Sequence, residues 1–230
     1  MNWITRFLDF ISPRQCVVCG ERLAPTEHSL CSTCLLHLPR TTYQFTPHDN
    51  PMAQLFWHLS PVEKAAALIF YEPHSEVAQL IYDLKYHDRP DIGEDMGRLM
   101  AGEMQLARFF DGIDLLLPVP LSRKRLRQRG YNQSEQLAIG ISDITHLPVV
   151  TKALRRTHFH QSQTQLSRRE RQENVEDLFE LRDGSMLQGK HVLLIDDICT
   201  TGATLLACCD ALKAVLGIHL SVLTFGFTKS

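Results

Sequence analysis

Val192-Leu193-Leu194-Ile195-Asp196-Asp197-Ile198-Cys199-Thr200-Thr201-Gly202-Ala203-Thr204 decides how this chain is read. An apolar run ends in two adjacent acids, passes through a Thr/Gly loop and enters a helical pattern. Such a loop aims backbone N–H groups and threonine hydroxyls at one spot, and the helix dipole adds positive potential there, so a monophosphate fits. The two carboxylates one step earlier accept hydrogen bonds from vicinal hydroxyls and, with Mg2+ present, hold its water shell. A sugar 5-phosphate satisfies both halves at once. A second phosphate-loop spacing, Gly184-Ser-Met-Leu-Gln-Gly189-Lys190, reads as a turn. His191 stands there in place of a Mg2+-binding Ser or Thr, and the motif precedes a strand when it should follow one.

Outward from this motif, short apolar runs alternate with helical stretches from Glu63 onward, the pattern of an α/β chain with a mostly parallel sheet. Strands are expected at residues 65–71, 114–119, 192–197 and 219–225, and helices at 75–86, 92–110, 132–144 and 203–216. Cys199 reads as filler in the loop, although an exposed thiol at a helix N-terminus would have a lowered pKa. Cys208 and Cys209 read as core residues of the last helix.

Upstream, Leu117-Pro118-Val119-Pro120-Leu121-Ser122 closes a strand and leads into Arg123-Lys-Arg-Leu-Arg-Gln-Arg129-Gly130-Tyr131-Asn132-Gln133. Residues 121–171 hold eleven cationic and three acidic side chains, a net +8, so a chain of net charge -2 carries -10 elsewhere. A concentration of this kind implies an anionic partner, either a pyrophosphate or a nucleic acid, with a solvated charged face as the bland reading. Between Leu154 and Leu181 runs a polar stretch too long for an ordinary connection, which reads as a flap.

Four of the seven cysteines lie near the start, as Cys16-x-x-Cys19 and Cys31-x-x-Cys34. Each two-residue spacer lets both sulfurs of a pair reach one ion, and two pairs complete the four-thiolate shell of structural zinc. Gly20 can take the positive φ that turns N–H groups toward the sulfurs. Two disulfides or free thiols are the alternative. His28 and His37 read as bystanders. The expected organisation is an N-terminal helix and zinc-binding unit over residues 1–45, a linker over 46–62, and one larger domain over 63–230.

The 230 residues are 44% hydrophobic and 22% charged, enough for one full core plus an appendage. That composition excludes a disordered tail protein. Arg6 and Asp9 interrupt the apolar N-terminus, which reads as a short amphipathic helix and not as a signal peptide. No apolar run is long enough for a membrane span, so no membrane insertion is expected. Cysteines held reduced or on metal imply a cytoplasmic location.

Residues 192–204 resemble the phosphoribosyl pyrophosphate (PRPP) signature of type I phosphoribosyltransferases. The resemblance implies that Asp196 and Asp197 bind the ribose hydroxyls. It likewise assigns Thr200, Thr201, Gly202, Ala203 and Thr204 to the 5-phosphate, with Ile198 and Cys199 in the same loop. In that family the loop after an early strand binds pyrophosphate, which brings in Leu121 and Ser122, with Arg123 and Arg129 on the leaving group. Mg2+ would accompany PRPP.

The order of motifs along the whole chain is similar to that of the ComF family. It runs from the four-cysteine pair through Leu84-Lys85-Tyr86, Pro118-Val119-Pro120, Arg129-Gly-Tyr-Asn-Gln133 and a 163–174 flap to the PRPP loop. This implies the type I phosphoribosyltransferase fold with a small zinc-ribbon-like unit, and a role in uptake of single-stranded DNA with a competence helicase as partner. Arg168, Arg169 and Arg171 would close the flap over the site. A nucleotide salvage or biosynthetic transferase and a non-catalytic PRPP sensor are the alternative functions, and the acceptor stays open.

Overall fold

The computed structural model describes residues 13–158 and 177–228. Four strands form one parallel sheet in the order β1 (Val62–Phe70), β6 (His219–Phe227), β5 (His191–Cys199) and β2 (Leu115–Pro118). Leu115, Leu116 and Leu117 of β2 and Val192 to Ile195 of β5 are buried, as expected for strands covered on both faces. All four expected strands are present. β5 runs two residues past its expected end because Ile198 and Cys199 pair with Gly226 and Phe227 of an equally prolonged β6.

The helices are α1 (Ser32–Leu36), α2 (Pro51–Gln54), α3 (Ala78–Tyr86), α4 (Pro90–Leu106), α5 (Arg123–Arg129), α6 (Gln133–Thr145) and α7 (Ala203–Leu212). α4 turns Ile92, Met96, Met100 and Met104 inward at four-residue spacing. It meets α6 backbone to backbone: a Cβ on Gly97 would stand 2.2 Å from the Leu137 carbonyl oxygen, and one on Gly140 2.0 Å from that of Glu94. Among the described residues, no helix is long and apolar enough to cross a membrane.

Several expectations are corrected. α4 stops at Leu106 and α7 at Leu212, short of residues 110 and 216, and α3 starts at Ala78 after a turn in which Ser75 Oγ donates to Glu72 O. The basic run 123–129, read as part of a loop, is the helix α5. It is capped at its start by Ser122 Oγ, which accepts from Arg125 N at 3.3 Å, and at its end by Gly130 at φ 77°. The two ends of the 154–181 stretch pair as an antiparallel ribbon, β3 (Leu154–His158) with β4 (Asp177–Leu181). The arginine-bearing 163–174 segment and the N-terminal helix lie outside the described residues.

The cysteine-bearing segment packs on the rest of the chain. Cys16, Leu23, Leu30 and Leu38 are buried, Ser29 Oγ donates to Asp95 Oδ2 at 2.5 Å, and Arg40 pairs with Glu103 at 2.8 Å on α4. The stretch 43–56 precedes β1 and packs on it, with Tyr43 stacked edge-on against Phe70 and Phe227, and Met52, Ala53 and Phe56 buried.

Candidate functional site

The carboxyl ends of parallel strands are where α/β sheets collect ligands, and Asp196 and Asp197 stand there on β5. Asp196 Oδ1 accepts from Ser134 Oγ and from the Asp197 N–H, each at 2.9 Å. Burial first, and the Asp197 charge second, push Asp196 up to about 7. Asp197 Oδ1 accepts from the Ile198 N–H at 2.7 Å, and its Oδ2 lies 2.8 Å from Lys85 Nζ. Two adjacent carboxylates in a parallel strand would repel each other; the lysine and the serine, from two different helices, offset that cost.

Beyond β5 the chain turns through Thr200 and Thr201 into α7, with Gly202 at φ 78° as the N-cap. Asp196 and residues 198–205 line a hollow of about 50 Å³. Thr200, Thr201 and Ala203 are exposed at its rim, while Gly202 is buried. The first-turn N–H groups of α7 have no intrahelical partners, so the hollow is a ready anion seat. Cys199, read as filler, is buried: pairing with Phe227 carries it into the core, and burial, with the Asp196 charge second, pushes its thiol up to about 12.

The third wall comes from α5 and α6. Arg129 donates to Gln133 Oε1 at 2.7 Å and holds its guanidinium 5.5 Å from the Tyr86 ring centroid. Tyr131 Oη donates to the Leu84 carbonyl at 2.5 Å, and Asn132 Nδ2 donates to the Val119 carbonyl at 3.0 Å while its Oδ1 caps α6. The Arg129-to-Gln133 motif is thus a clasp joining α3, β2 and α6. Arg123 sits at the far end of α5, about 9 Å along the helix from Arg129, and is exposed. Leu121 is half-buried, and the buried Ser122 hydroxyl serves as a helix cap. Sequence reasoning does not single out Lys85 or Ser134, though Lys85 lies inside the Leu84-Lys85-Tyr86 string.

Cys16, Cys19, Cys31 and Cys34 place their sulfurs within 4.8 Å of one another, a four-cysteine group able to hold a metal. Cys19 Sγ and Cys31 Sγ are 3.7 Å apart, close to the roughly 3.8 Å edge of a tetrahedron with Zn–S bonds of about 2.3 Å. Burial raises the Cys16 thiol, but N–H groups of Cys19, Cys31 and Val18 outweigh it and bring it down to about 7. Gly20 has φ 74° as expected.

Fold and site together define a phosphoribosyltransferase-type domain, and residues 105–223 match the phosphoribosyl transferase domain family. The chain is 32% identical over 193 residues to the DNA utilization protein YhgH of Escherichia coli (strain K12), covering 82% of this chain and 79% of that protein. It is 25% identical over 204 residues to competence protein F of Haemophilus influenzae, covering 83% and 87%. A third relative, competence protein ComFC of Bacillus subtilis, is 35% identical over 91 residues, covering 40% and 35%. The chain belongs to the ComF family of phosphoribosyltransferase-domain proteins, and its core has the type I phosphoribosyltransferase fold.

Proposed function

We propose that this chain binds PRPP at the carboxyl edge of the sheet and serves the uptake and handling of single-stranded DNA. The observation that carries the first part is the convergence of Asp196, Asp197, Lys85, Ser134 and the Thr200 to Thr204 loop at one strand end. Asp196 and Asp197 take the ribose hydroxyls, and the loop takes the 5-phosphate. Arg129, held by Tyr86 and Gln133, the chain neighbours of Lys85 and Ser134, and Arg123 at the start of α5 take the pyrophosphate. Mg2+ held near Asp196 and Asp197 would neutralise charge on the pyrophosphate. When C1–O cleavage occurs, the residues' task is positioning and charge stabilisation around an oxocarbenium-like state. Zn2+ at the four cysteines is structural, since a complete thiolate shell leaves no open position.

The DNA part draws on the relatives' names and on α5. Arg123, Lys124, Arg125 and Arg127 are exposed on this helix and, among the described residues, form no ion pair. They suit a phosphodiester backbone. A competence helicase and a cytoplasmic setting belong to the same reading.

Titration of the purified chain with Mg-PRPP tests the site. Binding is expected, and its loss in Asp196→Asn with Asp197→Asn; unchanged affinity in that variant overturns the assignment. Pyrophosphate release with a free base would mark a salvage enzyme, and binding without turnover a sensor. For DNA, an oligonucleotide titration should show steep salt dependence that flattens when Arg123, Arg125 and Arg127 become Gln; no binding at low salt removes the DNA role.

A further inference from the structure

α3 ends at Tyr86, and the last carbonyls of a helix have no partner along its own ladder. One of them, the Asp83 oxygen, accepts from the His87 N–H at 3.1 Å before the chain turns away through Asp88 at φ 51°. The next, on the buried Leu84, is held from another part of the fold: Tyr131 Oη donates to it at 2.5 Å. That oxygen belongs to the planar peptide unit that joins Leu84 to Lys85. Gripping the unit fixes the root of the Lys85 side chain. Lysine carries its charge on a flexible four-carbon stem, so where the Nζ comes to rest depends on how firmly that root is held. Here it rests 2.8 Å from Asp197 Oδ2.

The Tyr131 ring packs against the buried core, and a phenylalanine ring would fill the same space, so the hydroxyl is the part that packing does not require. Burial lifts its pKa above the ordinary 10, which leaves it a neutral donor across the working pH range. Its chain neighbour Asn132 does the matching task for the other carboxylate: Asn132 Oδ1 accepts from the Ser134 N–H at 3.2 Å, and Ser134 Oγ donates to Asp196 Oδ1 at 2.9 Å. Two consecutive residues thus anchor the two side chains that meet Asp196 and Asp197. The pairing matters for charge, because burial and the Asp197 carboxylate both raise the Asp196 pKa and Lys85 opposes them.

We propose that Tyr131 is a positioning residue: its hydroxyl, by holding the Leu84 carbonyl, sets Lys85 against Asp197 and keeps the acid pair balanced for its ligand. It acts through Lys85 and is not itself a binding group. The inference rests on the PRPP reading for the ligand, and on the contacts of Tyr131, Leu84, Lys85 and Asp197 alone for the positioning.

The test compares Tyr131→Phe with the wild-type full chain in two measurements. Trace acetylation with acetic anhydride, read by peptide mass spectrometry, reports how well each lysine amine is held. Lys85 should react about threefold faster or more in Tyr131→Phe, within the range of one lost neutral hydrogen bond. Lys64, whose Nζ donates to the Phe109 and Asp111 carbonyls at 2.9 and 2.6 Å, should keep its wild-type rate and so report an intact fold. Calorimetric titration with Mg-PRPP should show affinity lower by a similar factor, and no further loss when Tyr131→Phe is added to Lys85→Met. Unchanged Lys85 labelling overturns the proposal. So does a parallel rise at Lys64, the mark of a loosened fold, or an equal loss of affinity in the Lys85→Met background, which would put Tyr131 on another route. Should the wild-type chain not bind Mg-PRPP while Lys85 labelling still depends on Tyr131, the PRPP reading fails and the positioning stands.

Discussion

Lys85 Nζ lies 2.8 Å from Asp197 Oδ2, joining the last turn of α3 to the end of β5. Both side chains are mostly shielded from water, at 21% and 16% exposure, so this pair is worth more than a surface ion pair. It fixes the carboxylate that, under the proposed function, meets PRPP. Lys85→Met should therefore weaken Mg-PRPP binding about tenfold, the equivalent of about 1.4 kcal/mol. Lys85→Arg should recover part of that. Equal dissociation constants for the Met variant and the wild type would remove Lys85 from the site.

The protonation of Asp196 gives a pH signature. Its pKa is raised to about 7 in the folded chain from an ordinary 3.8, so the folded state holds the proton more tightly than the unfolded one. Stability therefore falls as pH rises between those two values, and the cost is complete above the higher one. Asp196→Asn mimics the neutral form and can still accept from Ser134. The variant should melt above the wild type at pH 8, with the difference vanishing toward pH 4. A difference that is constant across this range, or grows on acidification, contradicts the burial of a charge there.

Metal removal should act on the docked cysteine segment. Leu23, Leu30 and Leu38 of that segment are buried against the larger core, and the four sulfurs cluster in the same segment. One zinc per chain is expected by metal analysis, and none in Cys31→Ser. A strong chelator should lower Tm by about 5 °C or more, corresponding to roughly 2 kcal/mol in a chain of this size. An unaltered melting curve after complete metal loss would dismiss a structural role.

The crossing of α4 with α6 leaves no room for a methyl group. Gly97→Ala would set a Cβ 2.2 Å from the Leu137 carbonyl oxygen, and backbone cannot yield as a flexible side chain does. A loss of about 1–3 kcal/mol in denaturant unfolding is expected. Gly102→Ala on the same helix meets nothing within 4 Å and should be neutral or slightly stabilising. The two variants behaving alike would show that the crossing is looser than described.

The strands, the Thr/Gly loop and the cysteine knuckles are legible because each is written locally. β2 and β5 are continuous apolar runs, Gly202 supplies the turn into α7, and two C-x-x-C pairs share one spacing rule. α5 was legible in principle, through Ser122 before it and Gly130 after it, but a run with Leu126 as its lone apolar residue has no hydrophobic period to follow. The β3–β4 ribbon hid for a related reason: its register sets Arg155 opposite Glu180 at 2.6 Å, a cross-strand pair that no window along one segment can contain.

What the sequence by itself determined is thus the fold class, the family and the position of the acid pair with its Thr/Gly loop. Tertiary structure alone decided that Lys85 and Ser134 complete that pair. It also decided that Cys199 is core and that Arg129 is held by Gln133 and Tyr86 at one end of α5 while Arg123 stands exposed at the other. The reason is physical. Periodicity and capping act over a few residues and are visible in the string, whereas the electrostatic balance of a buried carboxylate depends on which distant helices the packed sheet brings against it.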